Sequence, residues 1–281
     1  LDDIKLRQII LSPLDTRISD LMDQSFTALN VHDDQEQAVE VFKKYDRVVL
    51  PVIDNNGILI GIVTVDDVLD VAEAEATEDI HKMGGVAALE EPYLTIPFFS
   101  MIKKRVGWLT VLFIGEMFTA TAMGFFEEEI AKAVVLALFV PLIISSGGNS
   151  GSQAATLVIR AIALGEVTLK DWYFIMKREL FSGLILGLIL GVIGFTRIFL
   201  WASFSNIYGE HWVMIGFTVG VSLVGVVMWG TLSGSMLPFI MKRLGFDPAT
   251  SSVPFVATFV DVTGLIIYFT VAILILTGTL L

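Results

Sequence analysis

The chain has 281 residues, no cysteine and only three histidines. The first absence excludes disulfides, thiolate metal centres and cysteine nucleophiles. His32, His81 and His211 stand far apart, so zinc chemistry lacks a donor set at ligand spacing. Basic residues are scarce as well, 18 Lys and Arg against 30 Asp and Glu, and an acidic surface is a poor partner for nucleic acid. No Ser/His/Asp set, phosphate-binding P-loop or HExxH motif is present, which leaves a membrane enzyme without a signature. Neither an initiator Met nor a signal peptide stands at the start, which reads as a fragment of a longer protein or an engineered form.

The acids that dominate are not spread evenly. Residues 1–91 hold 20 Asp and Glu against 7 Lys and Arg, a net of −13, whereas residues 92–281 hold 10 against 11, a net of +1. An acidic water-soluble module therefore precedes a nearly neutral, apolar one. Five stretches of the second part each offer about 20 or more mainly apolar residues, enough for a hydrocarbon core of roughly 30 Å. They lie near 106–126, 130–164, 176–204, 212–240 and 253–277, and a Gly-rich stretch is expected to break the second. Lys103, Lys104, Arg105, Arg160, Lys170, Lys177, Arg178, Lys242 and Arg243 fall on one side, leaving Lys132 and Arg197 elsewhere. That bias predicts a cytosolic N-terminus and a C-terminus outside, with Glu127-Glu128-Glu129 facing outward.

Asp261 interrupts the last apolar stretch. A carboxylate in the middle of a bilayer costs about 2.5–3.5 kcal/mol on insertion scales, so it is expected to face a bundle interior or an aqueous path as an ion or proton site. The plainer alternative is an inward Asp bonded to a neighbouring helix, with Thr258 and Thr263 at hand. Glu116, in Ile114-Gly115-Glu116-Met117, either lines the same path or is a structural acceptor. Pro141 and the run Ser145-Ser146-Gly147-Gly148-Asn149-Ser150-Gly151 place glycines and hydroxyls in mid-membrane. There they either present carbonyls to an ion or make a close-packed kink. Gly183, Gly187 and Gly191, and then Gly216, Gly220, Gly225, Gly230 and Gly234, have the spacing of tight helix packing. Asp247 stands at the cytosolic mouth, about 21 Å from Asp261 if the helix between them is continuous.

In the soluble part the pattern predicts a strand at 26–29, a helix over 35–45 capped by Asp33 or Asp34, and strands at 48–53 and 59–64. The strands are joined by the turn Asp54-Asn55-Asn56-Gly57. The helix that follows carries Asp66, Asp67, Asp70, Glu73, Glu75, Glu78 and Asp79 with no Lys or Arg among them. Like charges at three or four spacing oppose a helix by about 0.2–0.5 kcal/mol per pair. The segment is thus either a solvated acidic linker or a sensor that a divalent cation, Mg2+ or Ca2+, compacts. Leu50-Pro51-Val52-Ile53-Asp54 and Gly61-Ile62-Val63-Thr64 followed by Asp67 resemble a CBS domain. Such domains work in pairs, and residues 1–13 look like the tail of a first copy. A pocket for a nucleotide such as ATP, shared between copies, is therefore incomplete here, and a packing or dimerising module without an adenine ligand is the other reading.

From about residue 14 onward the chain closely resembles the MgtE family of bacterial magnesium channels. The resemblance is carried by the CBS half with its acidic helix, Arg105-Val106-Gly107-Trp108-Leu109, Gly147-Gly148-Asn149, Asp247-Pro248-Ala249, and Ala257-Thr258 followed by Asp261-Val262-Thr263-Gly264. It implies a mainly α membrane protein with five transmembrane helices per subunit. A small α/β CBS domain (14–71) and an acidic plug helix (66–91) would precede the membrane domain (92–281). It further implies a homodimer in the bacterial inner membrane, with a pore on the two-fold axis where Asp261 of each subunit holds hydrated Mg2+. Ala257, Thr258, Gly147, Gly148, Asn149, Glu116 and Asp247 are the residues expected along that path. By the same matching Asp34, Glu36, Asp46, Asp67, Asp70, Glu75, Glu78 and Asp79 are implied to sense cytosolic Mg2+. Two departures stand out: most of the first CBS copy is absent, and Val253 stands where some relatives have a polar residue before the proline. A proton-coupled divalent cation carrier is the alternative.

Overall fold

The computed structural model describes residues 4, 6–22, 26–205 and 207–281. Parts of the expected tail (1–3 and 5) and of the CBS stretch (23–25) lie outside the described residues. The chain divides into two compact units, Leu1–Thr77 and Glu78–Leu281.

In the first unit, short helices α1 (Leu6–Leu11) and α2 (Ile18–Leu21) precede a three-stranded sheet. Strand β1 (Leu29–Asn30) pairs parallel with β2 (Val49–Ile53), which pairs antiparallel with β3 (Leu59–Thr64). The strand expected at 26–29 is shorter and later, because only Leu29 and Asn30 find partners, in Val52 and Ile53. Helix α3 (Gln35–Tyr45) begins at Asp34, whose carboxylate accepts the Glu36 N–H, and ends at Asp46 in the left-handed region. Asp54 builds the hairpin turn: its Oδ1 accepts the N–H groups of Asn56 (2.9 Å) and Ile58 (2.7 Å). The Ile58 bond, foremost, holds the Asp54 carboxyl below its usual range. Gly57 closes the turn at φ +76, a conformation that side chains with a Cβ avoid. Leu29, Val39, Phe42, Leu50 and Val68 form the core between the sheet and α3 and α4 (Val65–Met83).

The second unit begins within the last turns of α4. Five long helices follow: α5 (Phe98–Phe125), α8 (Val140–Ala163), α9 (Trp172–Phe204), α10 (Trp212–Arg243) and α11 (Val253–Leu276). Short helices α6 (Glu127–Lys132) and α7 (Val134–Ala137) lie between the first two. The long helices have 24 to 33 residues, about 36–50 Å of rise, and all five are long and apolar enough to cross a membrane. One expectation is corrected here. The Gly-rich run does not break its helix; α8 is continuous from Val140 to Ala163, and the interruption falls earlier, among α6, α7 and Phe139. The glycines are needed for proximity instead of unwinding. A Cβ at Gly151 would lie 2.9 Å from the Gly230 carbonyl oxygen, and one at Gly234 would lie 2.0 Å from that of Gly151.

Helices α8, α10 and α11 share the main core, with Leu136, Phe139, Ile143, Val226, Val260 and Tyr268 at its centre. Helix α9 lies along α10 through Gly183, Gly187 and Gly191, where a Cβ would collide with Thr231, Val224 and the Gly220 carbonyl. Helix α5 differs: none of its 28 residues is buried. Its start is tied down by Trp108, whose indole N–H donates to Ser252 Oγ at 2.8 Å, the same Ser252 that caps α11.

Candidate cation site

Asp261 lies near the middle of α11 and is half-buried. It opens on a cavity of about 410 Å³ lined by Pro141, Ile144, Ser145, Gly148, Asn149, Ser152 and Ala257. Helix α8 passes beside it at Gly148, where a Cβ would stand 3.4 Å from Asp261 Oδ1 and 3.6 Å from Ala257. Glu116 of α5 comes within hydrogen-bonding reach of Asp261. Among the described residues no Lys, Arg or His forms an ion pair with either acid. The two carboxyls thus stand side by side, Asp261 half-buried and Glu116 exposed.

Of the residues expected along the path, Gly148, Asn149 and Ala257 line the cavity, and Glu116 reaches Asp261. Gly147 does not: it faces α10, where its carbonyl would sit 2.4 Å from a Cβ on Gly230. Thr258 lies against α5, its Cγ2 filling the space that a side chain on Gly115 would need. The neighbouring hydroxyl Thr263 is committed elsewhere, bonded to Phe259 O at 2.8 Å and receiving the Trp229 indole N–H at 2.7 Å. It therefore does not partner Asp261.

Asp247 stands in the turn that leads into α11. Its Oδ1 accepts the Ala249 N–H at 2.9 Å and caps the 3-10 turn Pro248–Thr250. The chain bends again at Ser251 before α11 starts at Val253, so the continuous-helix separation from Asp261 does not apply. Asp247 Oδ2 is 2.6 Å from Lys82 Nζ, at the C-terminal end of α4, and Lys82 also pairs with Glu78. Partial burial works against the ammonium, but the bonds to Asp247 and Glu78 outweigh it and hold its pKa above the ordinary 10.5. Sequence reasoning stopped the charge count of α4 at Asp79 and so missed Lys82, the cation that answers this acidic turn. It also passed over Glu179, an acid inside α9 whose carbonyl accepts the Thr231 hydroxyl. The signal for Glu179 was the one used for Asp261, a carboxylate within an apolar stretch.

The acids implied as sensors are only partly gathered. Asp34 and Asp67 line one cavity of about 350 Å³ together with Asn30, Asp33 and Gln35. Asp67 accepts the Thr64 hydroxyl at 2.6 Å, and Glu75 pairs with the Gln35 amide. Glu36 sits in the first turn of α3 and Asp46 at its far end, while Asp70 follows one turn after Asp67 in α4. Glu78 is taken by Lys82, and Asp79 follows it in α4. Among the described residues, no three carboxylates or imidazoles stand close enough to hold a metal ion on their own.

The family model of MgtE, described as a divalent cation transporter, matches residues 140–271, and that of the CBS domain matches residues 18–74. A magnesium transporter MgtE of Thermus thermophilus is 41% identical over 273 residues, 97% of this chain and 59% of its own length. The MgtE of Enterococcus faecalis is 33% identical over 96% of this chain and 57% of its own, and that of Bacillus subtilis 29% over the same shares. The chain thus spans a little under three fifths of the length of these relatives. With a CBS domain ahead of a five-helix membrane core, and curated relatives aligned along nearly its whole length, the chain belongs to the MgtE family.

Proposed function

We propose that this chain carries Mg2+ across a bacterial inner membrane as the conducting part of a homodimeric channel. The observation that carries the reading is Asp261: a carboxylate inside an apolar span, with no basic partner among the described residues, open to a cavity of about 410 Å³. Such a volume holds on the order of ten waters. Mg2+ gives up its waters reluctantly and binds through one or two carboxylates with several waters retained. The lining suits that form of the ion: the Asn149 amide and the Ser145 and Ser152 hydroxyls can bond to a water shell, and Asp261 supplies the charge. A second copy of the chain, facing the first across the open side of the cavity, brings a second Asp261 to the same ion. Binding then needs to be strong enough to admit the ion and weak enough to release it.

The bias of basic residues supports an N-terminus in the cytosol and a C-terminus outside. Asp247 is then the acid at the cytosolic mouth, and the last turn of α4, fixed there by Lys82, is the piece that blocks or frees it. Asp34, Glu36, Asp46, Asp67, Asp70, Glu75, Glu78 and Asp79 make up the regulatory carboxylates on this reading. Mg2+ bound among them screens their repulsion and favours the closed form. Purified chain in vesicles should take up Mg2+, with Co2+, Mn2+ and Ca2+ as weaker competitors. Undiminished uptake in Asp261→Ala overturns the site.

A second reading has its own support. Glu116 stands beside Asp261, and adjacent carboxyls within apolar spans are also the arrangement that proton relays use. A carrier that exchanges a proton for a divalent cation would show a reversal potential that follows pH; a channel would follow the Mg2+ gradient alone.

A further inference from the structure

Helix α11 is apolar on nearly every side, with Val256, Val260, Leu265, Phe269 and Ala272 among its buried residues. In lipid, a helix of this kind has no hydrophobic face to fix its rotation, so polar handles and small-residue contacts must do so. Three side-chain bonds tie α11 to other segments along its length. Trp108 holds Ser252 at its start, Tyr268 OH donates to the Leu136 carbonyl at 2.9 Å in its outer half, and Trp229 donates to Thr263 at 2.7 Å in between. The Trp229 bond is level with Asp261, two residues away.

Its geometry is that of a clamp from behind. At about 100° per residue, Thr263 and Phe259 lie about 200° and 160° from Asp261 around the helix, so both stand on the side away from the cavity. Trp229 takes hold of both: its N–H bonds Thr263, and its ring lies against Phe259 with centroids 6.3 Å apart. On the opposite side, Gly148 of α8 lies beside the Asp261 carboxylate. We propose that Trp229 is a positioning residue for the cation site, setting through Thr263 and Phe259 the angle at which α11 presents Asp261 to the cavity. The proposal rests on the reading of Asp261 as the site; Trp229 itself touches no ion.

The test uses the absence of cysteine in the chain. Ala257→Cys faces the cavity and Ile266→Cys faces outward, and each is labelled with a water-soluble thiol reagent in membranes, with and without Trp229→Phe or Thr263→Val. Trp229→Phe keeps a ring and loses the donor; Thr263→Val keeps the shape and loses the acceptor; Thr263→Ser restores the hydroxyl. The expected result is strong labelling at 257 alone in the parent, a fall of about threefold to tenfold in either variant, and recovery in Thr263→Ser. In vesicles the two variants should weaken apparent Mg2+ affinity by a similar factor, with less effect on maximal flux, and the double variant should be no worse than either single one. An unchanged labelling pattern in both variants, or losses that add in the double variant, overturns the proposal. Labelling does not require transport, so it separates this proposal from the channel reading, which falls on Asp261→Ala alone.

Discussion

Two acids on the approach to and within α11 have opposite surroundings. Asp247 has a cation, Lys82, at 2.6 Å, and its other oxygen caps a turn of backbone. Asp261 has no basic partner among the described residues and faces another acid, Glu116. The first is a completed electrostatic arrangement, folded into place by the protein's own ammonium. The second has no such partner among the described residues, which is what the proposed cation site calls for. In a low-dielectric setting, that difference distinguishes a structural carboxylate from one held ready for an ion.

The largest expected effect tests the second acid. Asp261→Ala should reduce Mg2+ uptake to background while detergent-extracted protein still elutes as an assembled species; retained uptake would remove the distinction altogether. Asp247→Ala should act more mildly. On the proposed reading the change removes one carboxylate at the mouth and leaves the Lys82 ammonium there without it, so uptake should fall by about tenfold at low salt and by less at 0.15 M, a dependence that flux at two ionic strengths reads directly. The lost cap should also lower stability by about 1 kcal/mol.

Lys82→Met sharpens the contrast by making Asp247 resemble Asp261. It should destabilise the protein by about 1 kcal/mol in Mg2+-free buffer, and added Mg2+ should restore more of the melting temperature than it adds to the parent. An equal gain in both would mean that no dication takes the place of the ammonium. The pH dependence follows from the raised Lys82 pKa. Its contribution is complete below the ordinary 10.5 and is lost only as pH climbs through the higher folded value. A scan from pH 7 to 9 should therefore leave the Lys82 part of the melting temperature unchanged. Gly148→Ala should have the smallest effect, within about threefold on flux, because the added methyl meets Asp261 at an ordinary contact distance of 3.4 Å.

Much of the fold was legible because its signals are local. The apolar lengths announced five spans, and Asp34, the 54–57 turn and the 59–64 alternation carry their own backbone chemistry. Glu116 and Asp261 could be singled out because a carboxylate is conspicuous against an apolar background. What sequence reading missed depended on which helix lies next to which. The Gly147–Gly151 run looks like a break in isolation and becomes a packing surface only when Gly230 and Gly234 of α10 are placed against it. Thr263 looked like a partner for Asp261, two residues away, and is instead turned to Trp229, a contact between positions 34 apart. Lys82 was missed for the same reason, since Asp247 lies 165 residues further on.

The contact of glycine with carbonyl between α8 and α10, repeated by the glycines of α9, has a mechanical consequence. Backbone resting on backbone leaves no flexible side chain to absorb a sliding or rolling motion, so these three helices act as a fixed frame. Whatever opening and closing the protein performs then falls to the parts outside that frame, such as α5, none of whose residues is buried, and the end of α4.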